Sequence, residues 1–138
     1  MPPNYLEEFK ASVALYQNYL GLTLQTVTFA LTVTSGVVAY VMKREGNPQQ
    51  QAFALVLPAA LCIGLGAGFI GQRTAAIALK MQLEVLTAKL GFGLAPHGSI
   101  LVNAVTWLGL LMLVTGIVLL FVSVFQYRRP KSIEVKPG

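Results

Sequence analysis

Charged side chains are scarce in this chain of 138 residues, where Asp, Glu, Lys and Arg together make up 11%. Soluble domains average about 25%. Hydrophobic residues reach 55%, so the composition predicts an integral membrane protein rather than a soluble globule. The net charge of +5 more often sets topology and attracts anionic lipid in such proteins than it binds nucleic acid. We therefore expect membrane lipids as partners and no nucleic acid.

Cysteine and histidine occur once each, as Cys62 and His97. One of each cannot build a disulfide framework or a multi-ligand metal site within one chain. Ionisable side chains are also missing from the long apolar segments, which argues against a proton-coupled pump or transporter. No carboxylate pair or activated nucleophile is evident. The sequence thus predicts a protein that is not an enzyme, with no catalytic residue, no cofactor, no metal and no role for His97.

Three long segments carry no charge: residues 11–42, 52–71 and 100–125. Because about 20 apolar residues cross a hydrocarbon core of roughly 30 Å, each segment predicts a transmembrane helix. We expect an all-α membrane protein with a single membrane domain, residues 1–138. Its predicted parts are helix 1 (5–42, span about 20–42), helix 2 (52–90, span 52–71 and amphipathic extension 72–90), helix 3 (100–126) and a basic tail (127–138).

The first two predicted helices have nearly equal lengths. The segment "KREGNPQQQ" (43–51) has no apolar residue and predicts a tight polar turn between antiparallel helices. Gly91 is suited to cap the end of helix 2. At 1.5 Å per residue both helices would measure about 57 Å, nearly twice the hydrocarbon thickness. We therefore expect a long antiparallel hairpin that extends beyond the bilayer on one side.

The extensions carry apolar seams at coiled-coil spacing. In helix 2 the seam repeats at 4, 3 and 4 residues and comprises Leu79, Leu83, Leu86 and Leu90. The corresponding residues of helix 1 are Leu6, Phe9, Val13, Tyr16 and Leu20. Each seam can cover the other, so we expect a helical pair outside the membrane. Charged or polar residues, namely Arg73, Lys80, Glu84 and Thr87, are expected on the opposite face.

A second apolar stripe on the same extension comprises Ile77, Met81, Val85 and Ala88. A helix that is apolar on two sides needs two neighbours, and this chain offers the extension only helix 1 and the short segment 91–99. The stripe therefore predicts a homo-oligomer or a membrane-protein partner. An interfacial helix lying in the headgroup zone explains the stripe equally well.

Small residues recur in the second span. Ala60, Gly64 and Gly68 are spaced by four, as are Ala67 and Gly71. The glycines of "GAGFIG" (66–71) follow no strand, so helix packing explains them better than dinucleotide binding. Helix 1, helix 3 and another copy all remain possible partners for this face.

Hydroxyl groups are frequent in the first span, in Thr23, Thr26, Thr28, Thr32 and Thr34. We expect them to bond the carbonyl four residues earlier, whereas the Gln25 amide should face the bundle interior. The hydroxyls, the glycines and a kink at Pro58 motivate an alternative function, an oligomeric pore or channel.

Basic residues favour one orientation. The side holding the N-terminus has four, Lys10, Arg73, Lys80 and Lys89. The side holding the turn and tail has six, Lys43, Arg44, Arg128, Arg129, Lys131 and Lys136. The positive-inside rule therefore predicts a cytoplasmic tail.

The segments "YLEEFKASVALYQNYLGL" and "QLEVLTAKLGFGLAPH" flank a glycine-rich span. In this layout the chain resembles small multi-pass bacterial membrane proteins of uncharacterised function. The resemblance implies a bacterial inner (plasma) membrane and transfers no activity or site. The sequence as a whole predicts a non-catalytic structural or interaction subunit that self-associates or docks a partner through its extramembrane helical pair.

Overall fold

The computed structural model describes residues 4–43, 46–92 and 98–129, with only the backbone of Gly98. Within these ranges the chain forms three α-helices: α1 (Tyr5–Met42), α2 (Pro48–Leu90) and α3 (Gly98–Tyr127). Each helix is long and apolar enough to cross a membrane. The 43 residues of α2 measure about 65 Å, roughly twice a hydrocarbon core. His97, Arg44 and the tail from residue 130 onward lie outside the described residues.

Helix α2 begins four residues earlier than predicted, at Pro48 instead of Ala52. The prediction took the first apolar residue as the start. In the structure the Asn47 side chain accepts a hydrogen bond from the Gln49 amide at 3.2 Å, and Pro48 occupies the first turn. An asparagine cap followed by proline initiates a helix whatever the polarity of the next residues. Helix α3 likewise exceeds the predicted range 100–126 at both ends.

Gly91 ends α2 in the left-handed conformation, with φ 70°. Its amide donates to the Ala88 carbonyl, and the Phe92 amide donates to the Thr87 carbonyl. These two bonds form a Schellman motif, which satisfies carbonyls that the helix end leaves free. The expected glycine cap is present.

Helix α2 lies between the other two and runs antiparallel to both. On one side Thr34 of α1 meets Cys62, with 3.6 Å between the hydroxyl oxygen and the sulfur. On the other, the Ser123 hydroxyl of α3 donates to the Ala52 carbonyl at 2.8 Å. Helix α2 packs more extensively against α3 than against α1, and α1 and α3 make few contacts with each other. The arrangement is therefore a layer of three helices with α2 in the centre.

Glycines set the separation of α2 and α3. A Cβ added at Gly66 would lie 2.8 Å from the Gly109 carbonyl oxygen, and one at Gly116 would lie 2.6 Å from Ile63 Cγ1. The backbones can approach this closely only because these positions lack side chains. The most deeply buried side chains, at most 1% exposed, include Leu55, Cys62, Leu83, Leu101 and Met112.

Candidate interaction surface

The extensions of α1 and α2 cover each other's apolar seams. Leu79, Leu83 and Leu86 are buried, and Leu90 is partly buried. From α1, Phe9, Val13, Tyr16 and Leu20 pack partly buried against the core cluster that contains Leu79 and Leu83. Leu6, which was also predicted in the helix 1 seam, is 44% exposed. We call this part of the structure the arm pair (residues 5–20 of α1, and residues 79–92, which comprise the end of α2 and the two residues after it).

Aromatic contacts close the far end of the arm pair. The rings of Phe9 and Phe92 lie 5.5 Å apart at 49°. The Lys89 ammonium lies 4.7 Å from the centre of the Tyr5 ring, a cation–π contact. Sequence reasoning assigned no role to Tyr5 or Phe92. Extending the antiparallel register to the first turn of α1 would have placed Tyr5 opposite the last turn of α2.

The base of the arm pair includes a third helix, which the sequence analysis did not anticipate. Tyr19 of α1, Ala76 and Leu79 of α2, and Leu101 and Val105 of α3 surround a cavity of only about 10 Å³. A cavity of that size holds at most a single water molecule. The first turns of α3 therefore seal the junction where the uncharged part of α2 ends and its extension begins.

The small residues predicted to pack in the second span face away from α1 and α3. Ala60, Gly64, Gly68 and Gly71 are exposed. A Cβ added at any of these three glycines would meet no atom within 4 Å. The glycines that pack within the described chain are instead Gly66, Gly109 and Gly116. The seven-residue spacing of Gly109 and Gly116 is a signal that could have identified this face of α3.

The exposed small residues continue as a regular row. We define the small-residue seam as six exposed positions of α2 spaced by 4, 3, 4, 3 and 4: Ala60, Gly64, Ala67, Gly71, Thr74 and Ala78. This spacing keeps a row on one side of a helix that packs against a neighbour. Small residues in such a row allow close backbone approach in lipid.

The second apolar stripe of the extension, which we call the distal stripe, is exposed. Met81 is 60% exposed, Val85 53% and Ile77 37%, and Ala88 is exposed as well. The stripe lies on the side of α2 opposite the buried leucines, because helical spacing puts Met81 about 180° from the Leu79–Leu83 line. The distal stripe also adjoins the small-residue seam, so one exposed surface, which no described residue covers, follows α2 from Ala60 to Ala88.

Two polar residues occupy positions other than those expected. Thr87, predicted on the wet face, is 4% exposed, and its hydroxyl donates to the Leu83 carbonyl at 2.6 Å. Thr87 lies next to the buried leucines of α2, which explains why its side chain is buried. Gln25, predicted to face the interior, is exposed. The Thr34–Cys62 contact places Gln25 level with Gly71, at the end of the uncharged segment, where an amide can reach water.

Threonine hydroxyls in α1 bond their own helix. Those of Thr23, Thr26, Thr28 and Thr32 donate to the carbonyl four residues earlier at 2.7–2.8 Å. This is the expected pattern, and it leaves these oxygens internally satisfied. Pro58 of α2 is fully buried.

Chemical groups that could form a reactive centre are sparse in the part of the chain that the structure describes. There, no three His, Cys, Asp or Glu side chains lie close enough to share a metal ion. Cys62 is buried and forms no disulfide with a described residue. No known protein family, curated protein or solved structure matches the chain. The exposed surface of α2, formed by the small-residue seam and the distal stripe, is therefore the feature on which a proposed function can rest.

Proposed function

We propose that the chain is a small non-catalytic integral membrane protein, a structural or interaction subunit that self-associates or docks a membrane-protein partner. The observation that carries the proposal is the unpartnered surface of α2, formed by the small-residue seam and the distal stripe. Membrane insertion is supported by three helices of spanning length. It is also supported by bulky side chains that face outward along all three helices, such as Phe29, Leu57 and Phe121.

The insertion depth follows from the helix register. With residues 52–71 in the hydrocarbon, the Thr34–Cys62 contact aligns α1 from about Gln25 to Met42 with the same layer. The arm pair then stands outside the bilayer. In our proposal the turn and the basic tail face the cytoplasm of a bacterial cell, according to the positive-inside rule.

Continuity of α2 favours a docking stalk over a helix lying flat in the headgroup zone. The helix runs without interruption from Pro48 to Leu90, and its extension packs on one side against α1. A flat interfacial helix would have to leave the axis of the span near Gly71. In a stalk that stands outside the bilayer, exposed Met81 and Val85 contact water unless another protein covers them. Burial of their apolar surface would stabilise such a complex by about 25 cal/mol per Å².

Association through this surface is tested by measuring the mass of the full chain in nanodiscs and in mild detergent. The variant Gly64→Leu places a bulky side chain on the small-residue seam, where the folded monomer has open space. Gly36→Leu is the matched control, because it fills equally open space on α1. We expect a defined oligomer for the native chain and Gly36→Leu, and a smaller species for Gly64→Leu.

A heterologous partner is tested by co-purification from native membranes with a second pair of variants. Met81→Glu puts a charge in the distal stripe, whereas Gln82→Glu adds the same charge at an exposed neighbouring position. Loss of a stoichiometric partner with Met81→Glu alone supports docking at the stripe. A native chain that is monomeric and also purifies without a partner contradicts the proposal.

The alternative function is a pore or channel formed by an oligomer. Its support remains the glycine-rich α2, buried Pro58 and the threonines of α1. Ion and dye flux from proteoliposomes separates the two functions, since a structural subunit conducts neither at any protein density. Flux that disappears with Gly64→Leu and persists with Gly36→Leu would favour the pore.

A further inference from the structure

A cleft of about 420 Å³ opens where α1 ends, α2 begins and α3 ends. Its side walls include Val41 of α1 and Arg129 of α3, and Gln51 of α2 lies between them. The cleft exists because α1 and α3 pack on α2 while making few contacts with each other. It lies at the turn end of the helix layer, opposite the arm pair.

Gln51 is an unusual residue to find at this position. It is only 7% exposed, yet its side chain forms no hydrogen bond with another described residue. A Cβ added at Gly46, another residue of the cleft wall, would lie 3.0 Å from Gln51 Nε2. The amide therefore reaches the cleft wall. Among the described residues, every fully buried side-chain nitrogen or oxygen has a hydrogen-bond partner. The Gln51 amide is thus open to the cleft, where it can donate a hydrogen bond to a ligand.

The other polar groups of the cleft favour a negative ligand. Arg129 contributes a guanidinium at the wall, held 5.5 Å from the Phe125 ring, and Gln126 contributes a second amide. Pro48, at the first turn of α2, also lines the cleft, together with the last turns of α1 and α3, so the helix dipoles oppose one another there and the preference for an anion comes from Arg129. Among the described residues that line the cleft there is no carboxylate.

We propose that this cleft binds the phosphate of an anionic lipid headgroup, with the Arg129 guanidinium and the amides of Gln51 and Gln126 as donors. Guanidinium and phosphate form paired, charge-assisted hydrogen bonds. The cleft lies just beyond the uncharged segments, at the level where headgroups meet a membrane protein, and basic pockets between helices on the cytoplasmic side bind such headgroups. The proposal rests on membrane insertion and is independent of self-association.

Native mass spectrometry of the full chain in detergent measures the affinity for added phosphatidylglycerol, with phosphatidylcholine as the neutral comparison. We expect Arg129→Gln to weaken phosphatidylglycerol binding about tenfold, the effect of losing one charged hydrogen-bond donor. Gln51→Leu should weaken binding as well. Arg128→Gln is the matched control, since it removes the same charge from the adjacent residue, which does not line the cleft, and it should leave the affinity within about twofold of the native value.

Equal weakening by Arg128→Gln and Arg129→Gln would overturn the proposal, because binding would then depend on net charge alone. Unchanged binding after Arg129→Gln would overturn it too, and this exposed residue can be replaced without disturbing the core. Inorganic phosphate is tested in a separate competition experiment. Competition by millimolar phosphate that depends on Arg129 would show a site for a soluble anion and would overturn the lipid assignment. Absence of competition assigns it to lipid. The Gly64→Leu variant should keep the native lipid affinity, which separates this test from that of self-association.

Discussion

Replacement of Gly66 by alanine tests the close contact between α2 and α3. The added Cβ would lie 2.8 Å from three atoms: the Gly109 carbonyl oxygen, the Leu113 backbone nitrogen and Leu113 Cγ. Ordinary contacts of a Cβ begin at 3.4 Å, so α3 would have to move by about 0.6 Å. Two of the three atoms belong to the backbone, and rotation of a side chain cannot relieve the clash.

The expected magnitude combines two opposing effects. Overpacking of a close-packed contact costs about 1–3 kcal/mol. Alanine also favours a helix over glycine by up to about 1 kcal/mol. Gly64→Ala in the same helix isolates the second effect, because its Cβ meets no atom within 4 Å. The free energy of unfolding of Gly66→Ala should therefore lie about 1–3 kcal/mol below that of Gly64→Ala.

Reversible unfolding in mixed detergent micelles, followed by circular dichroism of the helical signal, measures this difference. The two variants are compared at a protein-to-detergent ratio low enough to keep both monomeric, because Gly64 lies in the small-residue seam and its replacement could alter association. Unfolding free energies of Gly66→Ala and Gly64→Ala that agree within about 0.5 kcal/mol would refute the glycine contact between α2 and α3.

Two further predictions concern contacts between α1 and α2. Leu83→Ala should lower the free energy of unfolding by about 2–5 kcal/mol, since Leu83 is 1% exposed. Met81→Ala, at a 60% exposed position, should change the free energy of unfolding of the monomer by less than about 0.5 kcal/mol. Equal losses of stability in Leu83→Ala and Met81→Ala would contradict the arm pair. Thr34→Cys should form a disulfide with native Cys62 on mild oxidation, because the two side chains meet at 3.6 Å. Thr32→Cys, on the exposed side of α1, should form none within the chain. Mass spectrometry of proteolytic fragments distinguishes a disulfide within one chain from a disulfide between two chains. If Thr34→Cys formed disulfides only between chains, the α1–α2 register would be contradicted.

Periodicity and chain breakers allowed the helices to be predicted. The uncharged segments identify all three helices, and the glycine after Leu90 predicts where α2 ends, because only glycine readily adopts φ 70°. The predicted start of α2 was four residues late. Its first turn is polar, so the signal lay in the Asn47–Pro48 cap and not in hydrophobicity.

Packing partners could be predicted only in part. The leucine seam of the extension needs an apolar neighbour, and the similar predicted length of helix 1 suggested one; in the structure Leu79, Leu83 and Leu86 are buried. In the uncharged segments every face is apolar, and hydrophobicity alone cannot distinguish a face that packs within the chain from one that does not. Ala60, Gly64 and Gly68 were therefore as plausible for contacts within the chain as Gly66, and only the structure separates them.

The sequence by itself determined the all-helical class and the three long apolar helices, and it predicted an apolar seam on each extension, because each depends on local composition or on a repeat within one helix. The tertiary structure alone decided that α2 is the central helix, that its small-residue seam stays unpartnered, and that Gln51 and Arg129 share one cleft. These features depend on which residues of distant segments come level with one another. The antiparallel register, set by contacts such as Ser123 with the Ala52 carbonyl, controls that alignment, and no single segment encodes it.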